Sequence, residues 1–340
     1  MRWDARVNER QKKILYCVVR EYIITKKPVS SEHVLNVSNL SCSAATVRND
    51  LRKLEYLGYL YQPHTSAGRI PTDKGFRFYV DEILKLAKDY AQRSHQINVR
   101  YPLTYGDMER ILEGAAIALA RMTKGAVVLE KPDTGRLKIL RAIVTPITKN
   151  HYLISVVTEL GLMKFIPFRS FADVDHSMLE NLLNRLLKGR SIDSLTGEVF
   201  ESDWDESLID LSEQLISSLK DDLRNSMIKF GLDVLISGET FNIDEIRNLS
   251  RFLSDDGLLK AFMDRVQEVP AVFIGSEHGL QGLERFSIFV DSYRKENEPM
   301  GKIVVVTSKI IKYEEIMNVL TYVTSRLTEY FTVVTREVER

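Results

Sequence analysis

Ser43-Ala-Ala-Thr-Val-Arg-Asn-Asp-Leu-Arg-Lys-Leu-Glu-Tyr-Leu-Gly58, running straight into Tyr59-Leu-Tyr-Gln-Pro-His-Thr-Ser-Ala-Gly-Arg-Ile-Pro71, is the stretch on which the reading of the fold turns. Ala44, Val47, Leu51 and Leu54 recur at helical spacing, which predicts a helix with Ser43 as its N-cap and Gly58 just past its end. At about 100° per residue the opposite side carries Ala45, Thr46, Asn49, Arg52 and Lys53, with Arg48 at its edge and Asp50 on the flank. That outer side is short polar groups and cations, with no acid at its centre. The second half predicts a β-hairpin. Tyr59 to Gln62 reads as extended, Pro63-His64-Thr65-Ser66-Ala67-Gly68 as a polar turn, and Arg69-Ile70-Pro71 as the returning strand.

Upstream, Ile14, Leu15, Val18, Val19, Tyr22 and Ile23 form one stripe and predict a helix over residues 8–24, stopped by Lys26-Lys27-Pro28. Ser30 and Ser31 are N-cap candidates for a short second helix through Val34, Leu35 and Val37. Downstream, Thr72 is placed to cap a fourth helix carrying Phe76, Tyr79, Val80, Ile83 and Leu84. Helix, short helix, helix, hairpin is the order of a winged helix-turn-helix domain, expected over residues 1–88. Such a domain lays its third helix in the DNA major groove. The candidate DNA-binding residues are therefore Ser43, Thr46, Arg48, Asn49, Arg52 and Lys53 on the helix, and His64, Thr65, Ser66 and Arg69 on the wing. Arg52 and Asn49 suit base edges, because arginine and asparagine read guanine and adenine bidentately. Lys53, Arg48 and Arg69 suit phosphates. Two bland readings stand beside these: an arbitrary helix with this face is simply solvated, and His64 can be a turn residue only. Tyr59 and Tyr61 read as wing packing.

Lys plus Arg and Asp plus Glu each number 47, so the net charge is zero. The balance hides an asymmetry, a net of +6 over residues 1–85 against −6 over the rest. A basic head on an acidic body suggests that the head meets a polyanion. Residues 1–10 are rich in charge and no apolar run follows them, and no apolar stretch approaches the roughly 20 residues of a membrane helix. Cys17 and Cys42 make neither a disulfide framework nor a zinc site. The six histidines are scattered, and no Gly-rich phosphate loop, His-Glu-x-x-His or Gly-x-Ser-x-Gly is present. The expectation is a cytoplasmic protein with no membrane partner, no metal, no cofactor and no catalytic residue.

Beyond a linker at residues 89–104 the chain mixes helices and strands. Strands are expected at 126–129, 140–147, 152–158, 163–168, 234–236, 272–274, 286–290 and 303–306, joined by turns short enough for antiparallel pairing. Helices are expected at 108–122, 178–187, 208–230, 246–266 (broken near Asp255-Asp256-Gly257) and 313–331. Leu208, Leu211, Leu215, Leu219 and Leu223 form a stripe that reads as a core face or as a dimer seam.

The run from Ser43 through Gly75, above all Pro63-His-Thr-Ser-Ala-Gly-Arg-Ile-Pro71, resembles the HrcA family of heat-inducible transcription repressors. Ile274-Gly275-Ser276-Glu277 and the strand Phe286 to Tyr293 resemble further pieces of it. The resemblance reaches most of the chain and is tight over residues 8–85. It implies an α+β multidomain protein: a winged helix-turn-helix, then a GAF-like α/β domain with an antiparallel sheet at 105–147 and 241–340, interrupted by an inserted α+β dimerisation domain at 148–240. It also implies a homodimer that binds double-stranded DNA at the inverted-repeat CIRCE operator of chaperone operons. Repression would be released on heat stress, with the chaperonin GroEL as modulator. Two departures are visible. Val306-Thr307-Ser308-Lys309-Ile310 stands where the family has Gly-Pro-Thr-Arg-Met, which leaves open any contact made by that arginine. Pro28-Val29-Ser30-Ser31 replaces Pro-Val-Gly-Ser. The alternative reading is a ligand-sensing winged-helix regulator with a different operator.

Overall fold

The computed structural model describes residues 6–91, 108–160, 163–170, 175–195, 211, 213–217, 227–238 and 240–338. The head opens with α1 (Glu9–Thr25), α2 (Ser31–Val37) and α3 (Ala44–Tyr56). Each begins at a side chain that satisfies an orphan N–H of the first turn. Asn8 and Gln11 form a capping box on α1, Ser30 accepts from His33 N, and Ser43 accepts from Thr46 N. A hairpin follows, β1 (Leu60–Tyr61) paired antiparallel with β2 (Ile70–Pro71), and then α4 (Asp73–Ala91). Thr72 caps α4 by accepting from Gly75 N at 3.2 Å. Residues 89–91, expected in a linker, continue α4, and the remainder of that linker lies outside the described residues.

Two acids that the helical stripes leave out stitch the head together. Asp50 on α3 is buried and accepts from Arg10 Nε at 2.7 Å and Gln11 Nε2 at 2.8 Å, bolting α3 to α1. Glu21 on α1 is buried and accepts from Arg20 and, at 3.0 Å, from the His33 ring on α2. The hydrogen bond from His33, helped by Arg20, holds the Glu21 carboxyl below its ordinary range despite burial. Cys17 packs in this core, and burial pushes its thiol up to about 11, so it is a small apolar residue rather than a nucleophile.

The body is a five-stranded antiparallel sheet in the order β7-β3-β10-β9-β8. Its strands are β3 (Ala126–Glu130), β7 (Met227–Phe230), β8 (Ala271–Ile274), β9 (Phe286–Lys295) and β10 (Glu298–Ser308). Alternate residues of one strand serve two cores. Ile303 and Val305 face α5 (Met108–Thr123) and α10 (Tyr313–Val338), while Val304 and Val306 face α7 (Leu232–Gly238), α8 (Ile243–Ser254) and α9 (Asp256–Arg265). Burial on both faces explains why Ile303 to Val306 in β10 is an unbroken apolar run.

The insert is a three-stranded antiparallel sheet, β4 (Ile139–Thr148), β5 (His151–Thr158) and β6 (Met163–Arg169), with α6 (His176–Leu187) packed on one side. The free edge of β4 is covered by α6 side chains. Asn184 exchanges hydrogen bonds with both Ala142 N and Ala142 O, and Glu180 accepts from Val144 N. Satisfying the edge in this way blunts it as a template for further strands. Leu211 and Leu215 of the leucine stripe are fully buried in this core, and Leu208, Leu219 and Leu223 lie outside the described residues.

Three expectations are corrected here. The strand at 139–148 pairs with β5 and belongs to the insert, so the insert begins before residue 148. Met227–Phe230, expected as the end of a helix, is the strand β7 paired with β3, so the body resumes before residue 241. Val234 to Ile236, expected as a strand, lies in α7. None of these outcomes is legible in the apolar run itself: β4 is claimed by the strand that follows it, β7 by β3 about a hundred residues earlier, and Val234 to Ile236 by a helical turn.

Candidate nucleic-acid interface

The third helix divides its faces as its sequence requires. Val47, Leu51 and Leu54 are buried, while Ala45, Arg48, Asn49, Arg52 and Lys53 are exposed. The side chains of Arg48, Asn49, Arg52 and Lys53 find no hydrogen-bond or ion-pair partner among the described residues. Ser43 and Thr46 are engaged at the helix start, with their hydroxyl oxygens 3.0 Å apart. Tyr56 completes the outer stripe. It lies seven residues beyond Asn49 and four beyond Arg52, and it is 87% exposed. The helical arithmetic that selected Asn49 and Arg52 also selects Tyr56, and its apolar ring is why attention to polar groups passed over it.

The hairpin tip is a turn in which Ala67 N donates to His64 O at 2.8 Å. His64, Thr65 and Ser66 are exposed. Gln62 braces the turn by donating to Thr65 O and Ala67 O at 2.9 and 2.8 Å, a role its position before the proline did not advertise. The base of the wing is tied down by main-chain bonds between Val29 and Arg69 at 2.9 and 2.8 Å. Gly68 is required there, because a Cβ would stand 2.5 Å from the Val29 carbonyl carbon.

Arg69 is placed differently from its expected position at the tip. Its side chain is only 11% exposed and forms an ion pair with Glu55 of α3 at 3.0 Å. It therefore fastens the hairpin to α3 instead of projecting from it. The sequence could not show this, because the pairing needs α3 and the returning strand to be adjacent. Lys74 plays a similar part. It donates to Leu57 O at 2.9 Å, satisfying a carbonyl at the end of α3, and sits 4.2 Å from the Tyr59 ring centroid.

The arrangement is thus an internally braced head with a row of exposed polar and cationic side chains on one helix, without partners among the described residues, and a small polar turn beside it. Two open clefts of about 470 and 480 Å³ lie elsewhere, one between wing, α1 and the loop at Lys309, the other at the β4–β5 turn of the insert. Among the described residues no helix is long and apolar enough to cross a membrane.

Residues 109–317 match the family model described as the HrcA protein C-terminal domain. The chain is 41% identical over 327 residues to a heat-inducible transcription repressor HrcA of Thermotoga neapolitana, covering 96% of this chain and 95% of the relative. It is 41% identical over 331 residues to the HrcA repressor of Thermotoga maritima (97% and 96% covered), and 30% identical over 337 residues to that of Moorella thermoacetica (95% and 98% covered). A crystal structure of a hypothetical protein, 40% identical and matched over 97% of this chain and all of the other, superposes with a TM-score of 0.73. The chain belongs to the HrcA family of heat-inducible transcription repressors: it is a repressor of heat-shock gene transcription and not an enzyme.

Proposed function

We propose that residues 1–88 form a winged helix-turn-helix reader and that the chain, as a homodimer, occupies the inverted-repeat CIRCE operator of chaperone operons and so blocks transcription until heat stress releases it. The observation that carries this reading is the α3 face, on which Asn49 and Arg52 stand exposed with no hydrogen-bond or ion-pair partner among the described residues, while Val47, Leu51 and Leu54 on its other side are buried. Asn49 and Arg52 would read base edges, and Arg48 and Lys53 would neutralise phosphates. Ser43 and Thr46 lie at the helix start, where free N–H groups and the helix dipole favour a phosphate. Tyr56, at the far end of the same stripe, would meet sugar or phosphate as the helix climbs out of the groove. His64, Thr65 and Ser66 would touch the backbone beside it. Arg69 acts as a brace in this arrangement.

A second copy of the chain is supported by the insert. The sheet face turned away from α6 presents Phe165, 58% exposed, among Ile143, Leu153, Val157 and Met163. An apolar patch of this kind marks an interaction surface. The five-stranded sheet with helices on both faces suits the GAF-like reading, here as a scaffold. Family likeness supplies the chaperonin GroEL as modulator, and a DNA-binding role implies a cytoplasmic location.

The test is binding of the purified chain to a labelled duplex bearing the CIRCE repeat, against a scrambled duplex, across a salt series with and without chaperonin. Tighter binding to the repeat at dimer stoichiometry is expected. Equal, salt-sensitive binding to both duplexes under all conditions would overturn the operator assignment. A melting shift produced by a small molecule would favour the alternative, a ligand-sensing regulator.

A further inference from the structure

The turn Ile274-Gly275-Ser276-Glu277 carries no part of the DNA-reading face, yet it is one of the most heavily bonded places in the molecule. It receives α4 of the head. Asp73 Oδ2 accepts from Ser276 N at 2.9 Å and from Ser276 Oγ at 3.0 Å, while Asp73 Oδ1 accepts from Lys309 Nζ at 2.7 Å. One turn further along, Arg77 Nε donates to Glu277 Oε1 at 2.8 Å, and Arg77 Nη2 donates to Glu277 Oε2 and to Val272 O. Glu277 is itself aimed by Ile274 N at 2.8 Å. Gly275 is in the left-handed region at φ +55°, and a Cβ there would stand 2.3 Å from Asp73 Oδ2. No residue with a side chain fits that approach.

Behind the polar bonds lies an aromatic seam. Phe76 of α4 sits 6.2 Å from Tyr313 of α10 and 6.3 Å from Tyr22 of α1, centroid to centroid, and Tyr79 donates to Glu314. The core of the head and the α5–α10 core of the body are accordingly one continuous cluster. The polar partners are about 200 residues apart in sequence, so these bonds, with the seam behind them, relate the head's orientation to the body. The bidentate guanidinium–carboxylate pair fixes an angle as well as a distance.

We propose that Asp73, Arg77, Ser276, Glu277 and Lys309 are positioning residues for operator recognition: they lock the reader to the body at one angle and so set the half-site spacing that the dimer accepts. The proposal rests on the reading of the chain as a dimer on an inverted repeat. One inserted base pair moves a half-site by about 3.4 Å and turns it by about 35°. Two heads held rigidly on a joined pair of bodies cannot follow that displacement. Heads free to swivel can.

The experiment uses the full-length chain on three kinds of duplex: the native repeat, repeats with one to three base pairs added or removed between the half-sites, and a single half-site. Wild type should lose about tenfold or more in affinity for each change in spacing, within the cost usual for a spoiled base-pair contact. Arg77→Ala should weaken at native spacing and bind all spacings within about threefold of one another, which is under 1 kcal/mol. Its affinity for the single half-site should be unchanged. Arg77→Lys, which keeps the charge without the bidentate fork, should fall between wild type and Arg77→Ala, and Lys309→Ala serves as a second, milder variant should Arg77→Ala fold poorly. A steep profile retained in Arg77→Ala and Lys309→Ala, with hydrogen exchange showing residues 272–277 newly exposed, overturns the proposal. Wild type indifferent to spacing instead overturns the dimeric inverted-repeat reading, and the two failures are seen in different proteins.

Discussion

On α3 the cations Arg48, Arg52 and Lys53 point outward and find no partner among the described residues, whereas on α4, the next helix along, Arg77 is held by Glu277, Asp81 and a main-chain carbonyl. Both helices belong to one small head. The difference lies in what each cation faces. A charge left in water costs little and remains available to a polyanion, and its worth appears only when a partner arrives with counterions to release. A charge turned toward a packed surface must be neutralised there, and the geometry that neutralises it also fixes the orientation of the helix that carries it. Exposure without a partner among the described residues is therefore what the proposed DNA-facing groups share, and dense internal pairing is what the proposed positioning groups share.

The contrast can be broken first from beneath. Leu51→Ala removes a buried side chain under the reading face and should cost about 2–5 kcal/mol of stability. Thermal unfolding of the full chain would register it, and a loss under 1 kcal/mol would mean that the outer stripe is not held by this core.

Arg52→Ala should leave stability alone and reduce discrimination between operator and random DNA by about 1–3 kcal/mol, read from competition binding. An equal loss on both DNAs would reassign Arg52 to the backbone. Lys53→Ala should act in the complementary way, weakening both DNAs together and lowering the slope of log affinity against log salt by about one.

The smallest effect sharpens the other side of the comparison. Burial tends to raise the Asp73 carboxyl, but Lys309 and the N–H and hydroxyl of Ser276 outweigh it and hold the group below its ordinary value. A folded value lower than the unfolded one means that this group stabilises the junction above the unfolded value, about 3.9, and loses that contribution as pH falls through the folded value. Hydrogen-exchange protection at residues 272–277 should thus decline below about pH 4 in wild type. Asp73→Asn should start lower and stay flat across the same range, and a parallel decline in both would assign the acid sensitivity to other groups.

Much of the head was legible because its signals are local. Ser30, Ser43 and Thr72 cap helices within three residues of themselves, the apolar stripe of α3 declares its buried side, and the hairpin announces itself by its turn residues. The outer stripe followed from the same helical arithmetic, including Tyr56, which polarity alone overlooked. In the body and insert, two segments pair with a sheet other than the one their position in the chain suggests. Whether 139–148 belonged with β3 or with β5 is invisible in the strand itself, and Met227–Phe230 became a strand because β3, a hundred residues earlier, had an open edge for it.

The amino-acid sequence by itself determined the helices and hairpin of the head, the division of α3 into a core side and a polar side, and, through the motif running across the wing, the family. Only the tertiary structure decided that Arg69 turns back to Glu55, that Asp50 and Glu21 are buried bolts rather than surface charges, and that Ile274 to Glu277 is the seat of the reader. Caps, turns and helix faces are set by groups a few residues apart, whose geometry the chain cannot avoid. Ion pairs and strand pairings between residues from 12 to 236 positions apart exist only after the chain has paid the entropy of bringing them together, and nothing in either residue alone names the other.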